Sequence, residues 1–453
     1  MAWPRINSAT PRTVLMADSC NRSHKTSGQS RAFSYEHTQS TDTSFVTVAS
    51  PADAVRRRPA AARIRIYIAT IADLLVSIRL PMVASSSSNR PEALYDFRSD
   101  TVTRPTSAML EAMCKAPLGD DVFRDDPTVH ELEAHTAELL GKEAACFMAT
   151  ATMSNQIAMR LHSGGALGEI LCDHRAHIHC WEVGAAHAAG AAIAPIVPPA
   201  GERFLTAESV LAGARTDNCL YHHAVTKVLA LENTLNGEVM PLAQLSACCA
   251  AARSIGLATH LDGARLWNAA AASGHSVAEY AAPFDTVSVC LSKGLGAPIG
   301  SLLAGSAEQI ERARHYRKYL GGGWRQAGLL AAAGLHALTR HRERLAEDHD
   351  AASALAAGLG ELGFVVEAPQ TNMVWCGPPT DLSAEAYEKV TADLEAEDGI
   401  LCGGAYTGPA TRHPFGESHR ALRFVTHLQT PKATAVKALL GGMTRLLKIA
   451  RAK

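Results

Sequence analysis

Two residues in this sequence are spaced for chemistry. Lys293 lies in the run Ser288-Val289-Cys290-Leu291-Ser292-Lys293-Gly294-Leu295-Gly296, just beyond an apolar stretch. About thirty residues upstream, Leu261-Asp262-Gly263-Ala264-Arg265 closes another apolar stretch. A lysine amine after one strand can condense with an aldehyde, and a carboxylate at the end of the strand before it can hold a pyridine nitrogen protonated. That pairing is what pyridoxal 5'-phosphate (PLP) needs: a covalent tether and an anion opposite the ring nitrogen. Alone, the lysine would say little, because most lysines are solvated surface charges.

Other residues supply candidate contacts. Thr150 to Asn155 puts small and hydroxyl residues between a strand and a helix, where free amides suit a phosphate, or where Thr150 simply caps the helix. Arg325 follows Gly321-Gly322-Gly323-Trp324, a run whose glycines permit close backbone approach or merely a turn. His177 and His179 both follow the run ending at Cys172, and either imidazole could stack on a ring and move a proton. Arg423 sits in the apolar run Leu422 to Val425, where its fork would suit a substrate carboxylate or an internal acid. Ser99 offers a hydroxyl to a ligand or a cap to a turn.

The elements that must position these groups form an alternating pattern. Strand-like runs at Ala144 to Ala149, Ile170 to Cys172, Val225 to Leu231, Leu257 to Leu261, Thr286 to Leu291 and Ser301 to Ala304 alternate with helical stretches, the mark of a βαβ sheet. Asp126-Pro127 starts a helix that ends near Gly141. A long helical region from Trp324 to His349 leads to a second lobe, with strands at Phe364 to Glu367, Met373 to Cys376 and Leu422 to Val425, and helices from Ala384 and Pro431. The expected division is a leader over 1–91, a large domain over 92–340 and a small C-terminal domain over 341–453.

Composition bounds the function. The 453 residues carry a net charge of -1 with 19% charged and 47% hydrophobic residues, so charge gives no case for nucleic acid or an anionic membrane as partner. The 11 cysteines include no C-x-x-C pair and fit reduced thiols. No metal-ligand spacing occurs, and no metal is expected. The absence of G-x-G-x-x-G after the first strand argues against a nicotinamide cofactor. The first ninety residues differ, with 12 Lys/Arg against 5 Asp/Glu and many serines. This suits a transit peptide to mitochondrion or plastid, a disordered extension, or sequence ahead of a start near Met82 in a cytoplasmic protein. The run Ile64 to Leu80 is too short and too charged to span a membrane.

These motifs, in this order, resemble the low-specificity L-threonine aldolases, PLP enzymes of fold type I. The likeness runs from Asp96 to the C-terminus, about four-fifths of the chain. It is carried by Phe97-Arg98-Ser99-Asp100-Thr101-Val102-Thr103-Arg104-Pro105, Gly119-Asp120-Asp121-Val122, Thr152-Met153-Ser154-Asn155-Gln156, Asp262-Gly263-Ala264-Arg265, Leu291-Ser292-Lys293-Gly294 and Leu320 to Gly328. The resemblance implies a large, mostly parallel α/β lobe, a smaller C-terminal α/β lobe, and a homotetramer or homodimer with shared active sites. It makes Lys293 the cofactor-binding lysine, Asp262 the pyridinium partner and His177 the stacking ring, selected over His179 by the register to Glu182-Val183-Gly184-Ala185. The amide of Ala151 and Thr152 would bind phosphate, helped by Lys318 or Arg325 of a neighbouring subunit. Ser99, Arg265 and Arg423 would hold the substrate carboxylate. The implied activity is retro-aldol cleavage of L-threonine or L-allo-threonine to glycine and acetaldehyde, in amino-acid catabolism.

Two positions depart from the family. Ala151 stands where most relatives have glycine. Leu235 follows Glu232-Asn233-Thr234, where the family has a histidine thought to sit by the substrate hydroxyl. With leucine there, the proton-accepting role falls to His177, directly or through water. The leucine also keeps a second PLP chemistry in view, a β-eliminating lyase or an amino-acid racemase. A catalytically silent scaffold would have to retain Lys293, Asp262 and Arg423 without use.

Overall fold

The computed structural model describes residues 94–164, 167–216, 222–403, 405–406 and 421–452. All belong to Ser85–Lys453, the second of the two units into which the chain divides. The expected leader over 1–91 lies outside the described residues.

The larger sheet contains β2 (Ala144–Met148), β3 (Gly168–Asp173), β4 (Ala192–Ile196), β5 (Val225–Glu232), β6 (Ala258–Gly263), β7 (Thr286–Cys290) and β8 (Ser301–Gly305), after a short β1 (Tyr95–Asp96) outside it. Its order is β2-β8-β7-β6-β5-β3-β4. β3 through β7 run parallel, and β8 lies antiparallel between β2 and β7. The central strands β3 and β7 are buried along their whole length, as strands covered by helices on both faces must be. β4 was not expected from the sequence. Pro195 lacks an amide hydrogen and interrupts its apolar run, which is tolerable because β4 is the edge strand.

Helices pack on both faces. On one, helix α1 (Pro127–Leu140) contributes Val129, Leu132 and Leu140 to the largest apolar core; on the other, α2 (Ala151–Ser163) contributes Ile157, Ala158 and Leu161. α1 begins and ends where the sequence says it should. Asp126 caps the amides of Thr128 and Val129, both at 3.1 Å, and Gly141 takes a left-handed conformation at the C-terminal end. The expected long helix from Trp324 to His349 is instead broken. It forms a helix over Gly328–His336, a π turn over Ala337–His341, then a helix over Leu345–Glu361. At the turn, the buried His341 bonds through Nδ1 to the Leu295 carbonyl at 2.8 Å, tying this junction to the loop that carries Lys293.

The smaller sheet has the order β12-β13-β10-β9, with β9 (Val365–Val366), β10 (Met373–Gly377), β12 (Ala405–Tyr406) and β13 (Ala421–Val425) all antiparallel. Its core gathers Val374, Phe424, Leu359, Leu439 and Met443. Phe97 joins that core, while β1 pairs in parallel with β11 (Ile400–Leu401). The start of the described chain is thus sewn into the smaller lobe, and Ser99 and Asp100 follow directly from it.

Candidate active site

The carboxyl ends of the central strands converge, as open parallel sheets place their ligand sites. Asp262 stands near the end of β6, and the residue is only 3% exposed. Gly263 after it is required by space, since a Cβ there would lie 2.7 Å from the Ser288 carbonyl oxygen. The Ala264 amide donates to Asp262 Oδ1 at 3.0 Å, and Asn155 Nδ2 donates to Oδ2 at 2.7 Å. Lys293 follows β7 in a turn closed by the Gly296 amide donating to the Lys293 carbonyl at 2.8 Å. Its amine is partly buried and has no hydrogen bond or ion pair among the described residues. It lies within the electrostatic reach of Asp100 and Glu232.

His177 opens the short helix after β3. Its Nδ1 lies 2.9 Å from Glu182 Oε1, and its own amide donates to Glu232 Oε2 at 2.7 Å. Asn155 Nδ2 also donates to Glu182 Oε1 at 2.9 Å, joining the Asp262 and His177 ends of the cluster. Burial alone would lower the pKa of His177, but the Glu182 hydrogen bond and the nearby carboxyls outweigh it and raise it. Nδ1–H is committed to Glu182, which leaves Nε2 as the nitrogen free for acid–base work. Glu182 is itself raised, first by burial. Glu232 is pushed up to about 7 by burial and then by Asp262 beside it. His177, Glu182 and Asp262 bring their polar atoms within 4.8 Å of one another, a spacing that also suits a metal. Here the Asn155 amide and the His177 ring already bond these carboxyls.

At the other end of the site, Arg265 directs Nε and Nη2 onto Asp100 at 2.8 and 2.6 Å. Asn372 Nδ2 adds a third bond to Asp100 at 3.1 Å. Burial would raise the Asp100 pKa, but the Arg265 charge and bonds hold this carboxyl far below the usual range. Arg265 is therefore fixed by an internal acid, with Nη1 the part of its fork not so engaged. Ser99 Oγ accepts from the Thr101 amide at 3.2 Å and from Thr101 Oγ1 at 2.9 Å, so it does cap a turn, and its own hydroxyl hydrogen is left to donate elsewhere. Arg423 lies opposite Trp375 in the β10–β13 ladder, with its guanidinium 5.8 Å from that ring and Nη2 donating to the Arg98 carbonyl at 3.2 Å.

The helix expected to receive phosphate is α2. Thr150 caps it by accepting from the Met153 amide at 3.1 Å. The amides of Ala151 and Thr152 have no acceptor among the described residues. The first turn of this helix thus carries both the Thr150 cap and two amides without an acceptor among the described residues. The glycine run packs against the same turn, since a Cβ on Gly322 would lie 3.0 Å from Met153 Sδ. A side chain on Gly323 would collide with Lys318. Arg325 is 59% exposed in its side chain and pairs with Asp120 at 3.0 Å, so within this chain its charge is directed there.

Leu235 is buried in the larger core and opens a tight turn, exchanging backbone hydrogen bonds with Glu238 at 3.0 Å in both directions. Asn236 and Gly237 supply the positive φ values, 53° and 88°, that this turn demands.

Comparison with known proteins places the chain in a family. The model of the beta-eliminating lyase family matches residues 96–376. The low specificity L-threonine aldolase of Escherichia coli strain K12 is 45% identical over 282 residues, 62% of this chain and 84% of the relative. That of Saccharomyces cerevisiae is 42% identical over 286 residues, 62% of this chain and 74% of the relative. The chain belongs to the low-specificity L-threonine aldolase family. The fold is shared with a solved structure: that of Leishmania major threonine aldolase superposes with a TM-score of 0.64 at 21% identity, covering 79% of this chain and 99% of that one. The expected fold type I architecture is thereby established.

Sequence reasoning did not single out Asn155, Glu182, Glu232, Asp100 or Asn372 as members of the site. Asp100 and Asn155 lie inside the runs that carry the family likeness, Glu182 in the register that selects His177, and Glu232 in the segment that departs from the family at Leu235. Their signal was polarity at the ends of apolar strands and in the first turns of helices, where an unpaired buried polar group would be costly.

Proposed function

We propose that this chain is a PLP-dependent aldolase that cleaves the Cα–Cβ bond of L-threonine or L-allo-threonine, giving glycine and acetaldehyde. The observation that carries this reading is the gathering around Glu232 of the Lys293 amine, the buried Asp262 carboxyl and the Glu182-held His177, in a chain of this family. The residues fit the cofactor at each end. Lys293 would tether it, Asp262 would face its ring nitrogen, His177 would cover its ring, and the open amides of Ala151 and Thr152 would take its phosphate. When bound, PLP supplies an electron sink for the carbanion left by bond cleavage.

The protein's part is orientation and proton transfer. Arg423, Ser99 and the free edge of Arg265 would clamp the substrate carboxylate, and so turn the scissile bond toward the ring face. His177 Nε2 would accept the proton of the substrate hydroxyl, directly or through water, because Glu182 holds the other nitrogen. Leu235 takes no part, being sealed in the core.

Lys318 or Arg325 would complete the phosphate site of a neighbouring subunit in a homodimer or homotetramer. Exposed Tyr319 follows Lys318 in sequence, and exposed Leu118 and Phe123 flank Asp120, the partner of Arg325; all three would become buried in such an assembly. The proposed division is a large domain to residue 340 and a small one from 341, after a leader. No helix among the described residues is long and apolar enough to cross a membrane. A cytoplasmic location fits a start near Met82, and a mitochondrial or plastid one a cleaved leader; sequencing the mature N-terminus decides between them.

The match to the beta-eliminating lyase family supports the second chemistry only at the level of the family. Product identification separates the readings. L-threonine and L-allo-threonine should yield glycine and acetaldehyde, while L-serine and L-alanine turn over slowly or not at all. Ammonia with a 2-oxo acid, or D-alanine from L-alanine, would instead establish elimination or racemisation.

A further inference from the structure

Behind Asp262 runs a chain of buried polar groups for which the reaction has no evident use. Asn155, His260 and Thr286 are fully buried, in α2, β6 and β7 respectively. Asn155 Oδ1 lies 3.1 Å from His260 Nε2, His260 Nδ1 lies 2.9 Å from Thr286 Oγ1, and Thr286 Oγ1 lies 2.9 Å from His162 Nε2.

The donors along this chain have a definite order. Asn155 Nδ2 donates to Asp262 and Glu182, so its Oδ1 must accept. His260 Nε2 therefore carries a hydrogen. With one proton on the ring, Nδ1 accepts from the Thr286 hydroxyl, whose oxygen in turn accepts from His162 Nε2–H. Every bond is satisfied by this one arrangement. It requires a neutral His260, and burial pushes the pKa of that ring down to about 3, against the opposing pull of Asp262. His162 is also lowered by burial, while Asp285 and Arg312 act on it in opposite directions. Among the described residues no lysine or arginine pairs with Asp262. The hydrogen bonds that Asp262 receives come from neutral donors, the Asn155 side chain and the Ala264 amide.

We propose that Asn155 and His260 are positioning residues: through the Thr286–His260–Asn155 relay they fix the Asp262 carboxyl and keep its charge directed at the cofactor's ring nitrogen. This rests on the reading of Asp262 given above. A polar chain that merely fills the core would contribute to stability alone. A relay also sets how firmly the ring nitrogen stays protonated, and so how tightly PLP is held and how strongly it draws electrons.

The test compares His260→Phe, His260→Gln, Thr286→Val and Asp262→Ala with the wild-type enzyme. It reads the PLP dissociation constant of the apoprotein, the pH midpoint of the bound cofactor's absorbance, kcat and KM, and the melting temperature. Losing one buried donor should weaken PLP binding in His260→Phe by about 10- to 100-fold. It should also raise the absorbance midpoint, because a less protonated ring withdraws fewer electrons, and lower kcat more than it raises KM. Glutamine can donate to Asn155 and should restore all three to within about threefold. Thr286→Val, nearly the same shape as threonine, should shift the midpoint in the same direction by less, and it serves if His260→Phe does not fold. A lower melting temperature with wild-type midpoint and PLP affinity, in His260→Phe or in Thr286→Val, would overturn the relay. If Asp262→Ala loses cofactor affinity in that same experiment, the reading of Asp262 survives. If Asp262→Ala keeps both affinity and midpoint, that reading falls and takes the relay with it.

Discussion

His177 carries the acid–base step in this account, and its neighbours make that role testable. Replacing Glu182 by Gln removes the hydrogen-bonded carboxylate that most raises His177 and leaves only Asp262 and Glu232 to oppose burial, so its pKa should fall relative to the wild-type protein. A base must be neutral to act, so the acidic limb of the kcat profile should move to lower pH, with kcat at pH 8 reduced about tenfold by the looser ring. An unmoved limb would show that His177 is not the titrating base. Leu235 makes the opposite prediction. It packs in the core at 3% exposure, so Leu235→His should bury an imidazole among apolar side chains and cost about 1–3 kcal/mol in a denaturation experiment. A variant of undiminished stability and much faster turnover would mean that this position faces the substrate. At this scale the sequence disclosed Lys293 and Asp262 through their strand-end positions, and the family likeness chose His177 from two histidines. It did not disclose that Arg265 is engaged by Asp100, because a pair 165 residues apart leaves no local pattern.

Two elements show how the fold holds the site in place. Asp126 caps α1 and also accepts from the amides of Gly119 and Gly328, at 3.1 and 2.8 Å. Gly328 has no room for a Cβ against that carboxylate. Asp126→Ala orphans several amides at once and should cost about 2–4 kcal/mol, read as a fall in the denaturation midpoint. A loss no larger than that of an exposed cap would contradict this triple role. At the end of β5, the pKa of Glu232 is raised from the ordinary carboxylate range to about 7. The folded value exceeds the unfolded one, so its contribution to stability is full below the unfolded pKa and is lost as pH rises to about 7. Glu232→Gln should therefore melt with a flatter pH dependence across that window and gain on the wild-type protein toward pH 8. Helix α1 and strands β3, β5, β6 and β7 were legible because capping residues and apolar runs agree with their tertiary burial. β4 was hidden by Pro195, and the break in the helix after Gly328 was hidden because the tie from His341 to Leu295 is purely tertiary.

At the scale of the molecule, the larger sheet sets Lys293, Asp262 and His177 around Glu232, and the smaller lobe carries Arg423 on β13. The alternation of runs made the two-lobed α/β design readable. Phe97 joining the smaller core was not readable, because a single aromatic residue ahead of the first helix gives no period. The division at Ala84 predicts that a chain starting at Ser85 keeps the melting temperature and turnover of the full chain. Loss of folding in the shortened chain would show that the leader belongs to the structure. Sedimentation of the shortened protein should give a dimer or tetramer.

The most direct test of the central claim sets wild-type protein against Lys293→Ala, both given PLP and L-threonine. The account predicts that the wild-type protein shows the absorbance of lysine-bound cofactor and releases acetaldehyde and glycine in equal amounts. It predicts that Lys293→Ala, still folded, loses the band and falls to background turnover. A variant that retains the band and cleaves threonine at the wild-type rate would contradict it.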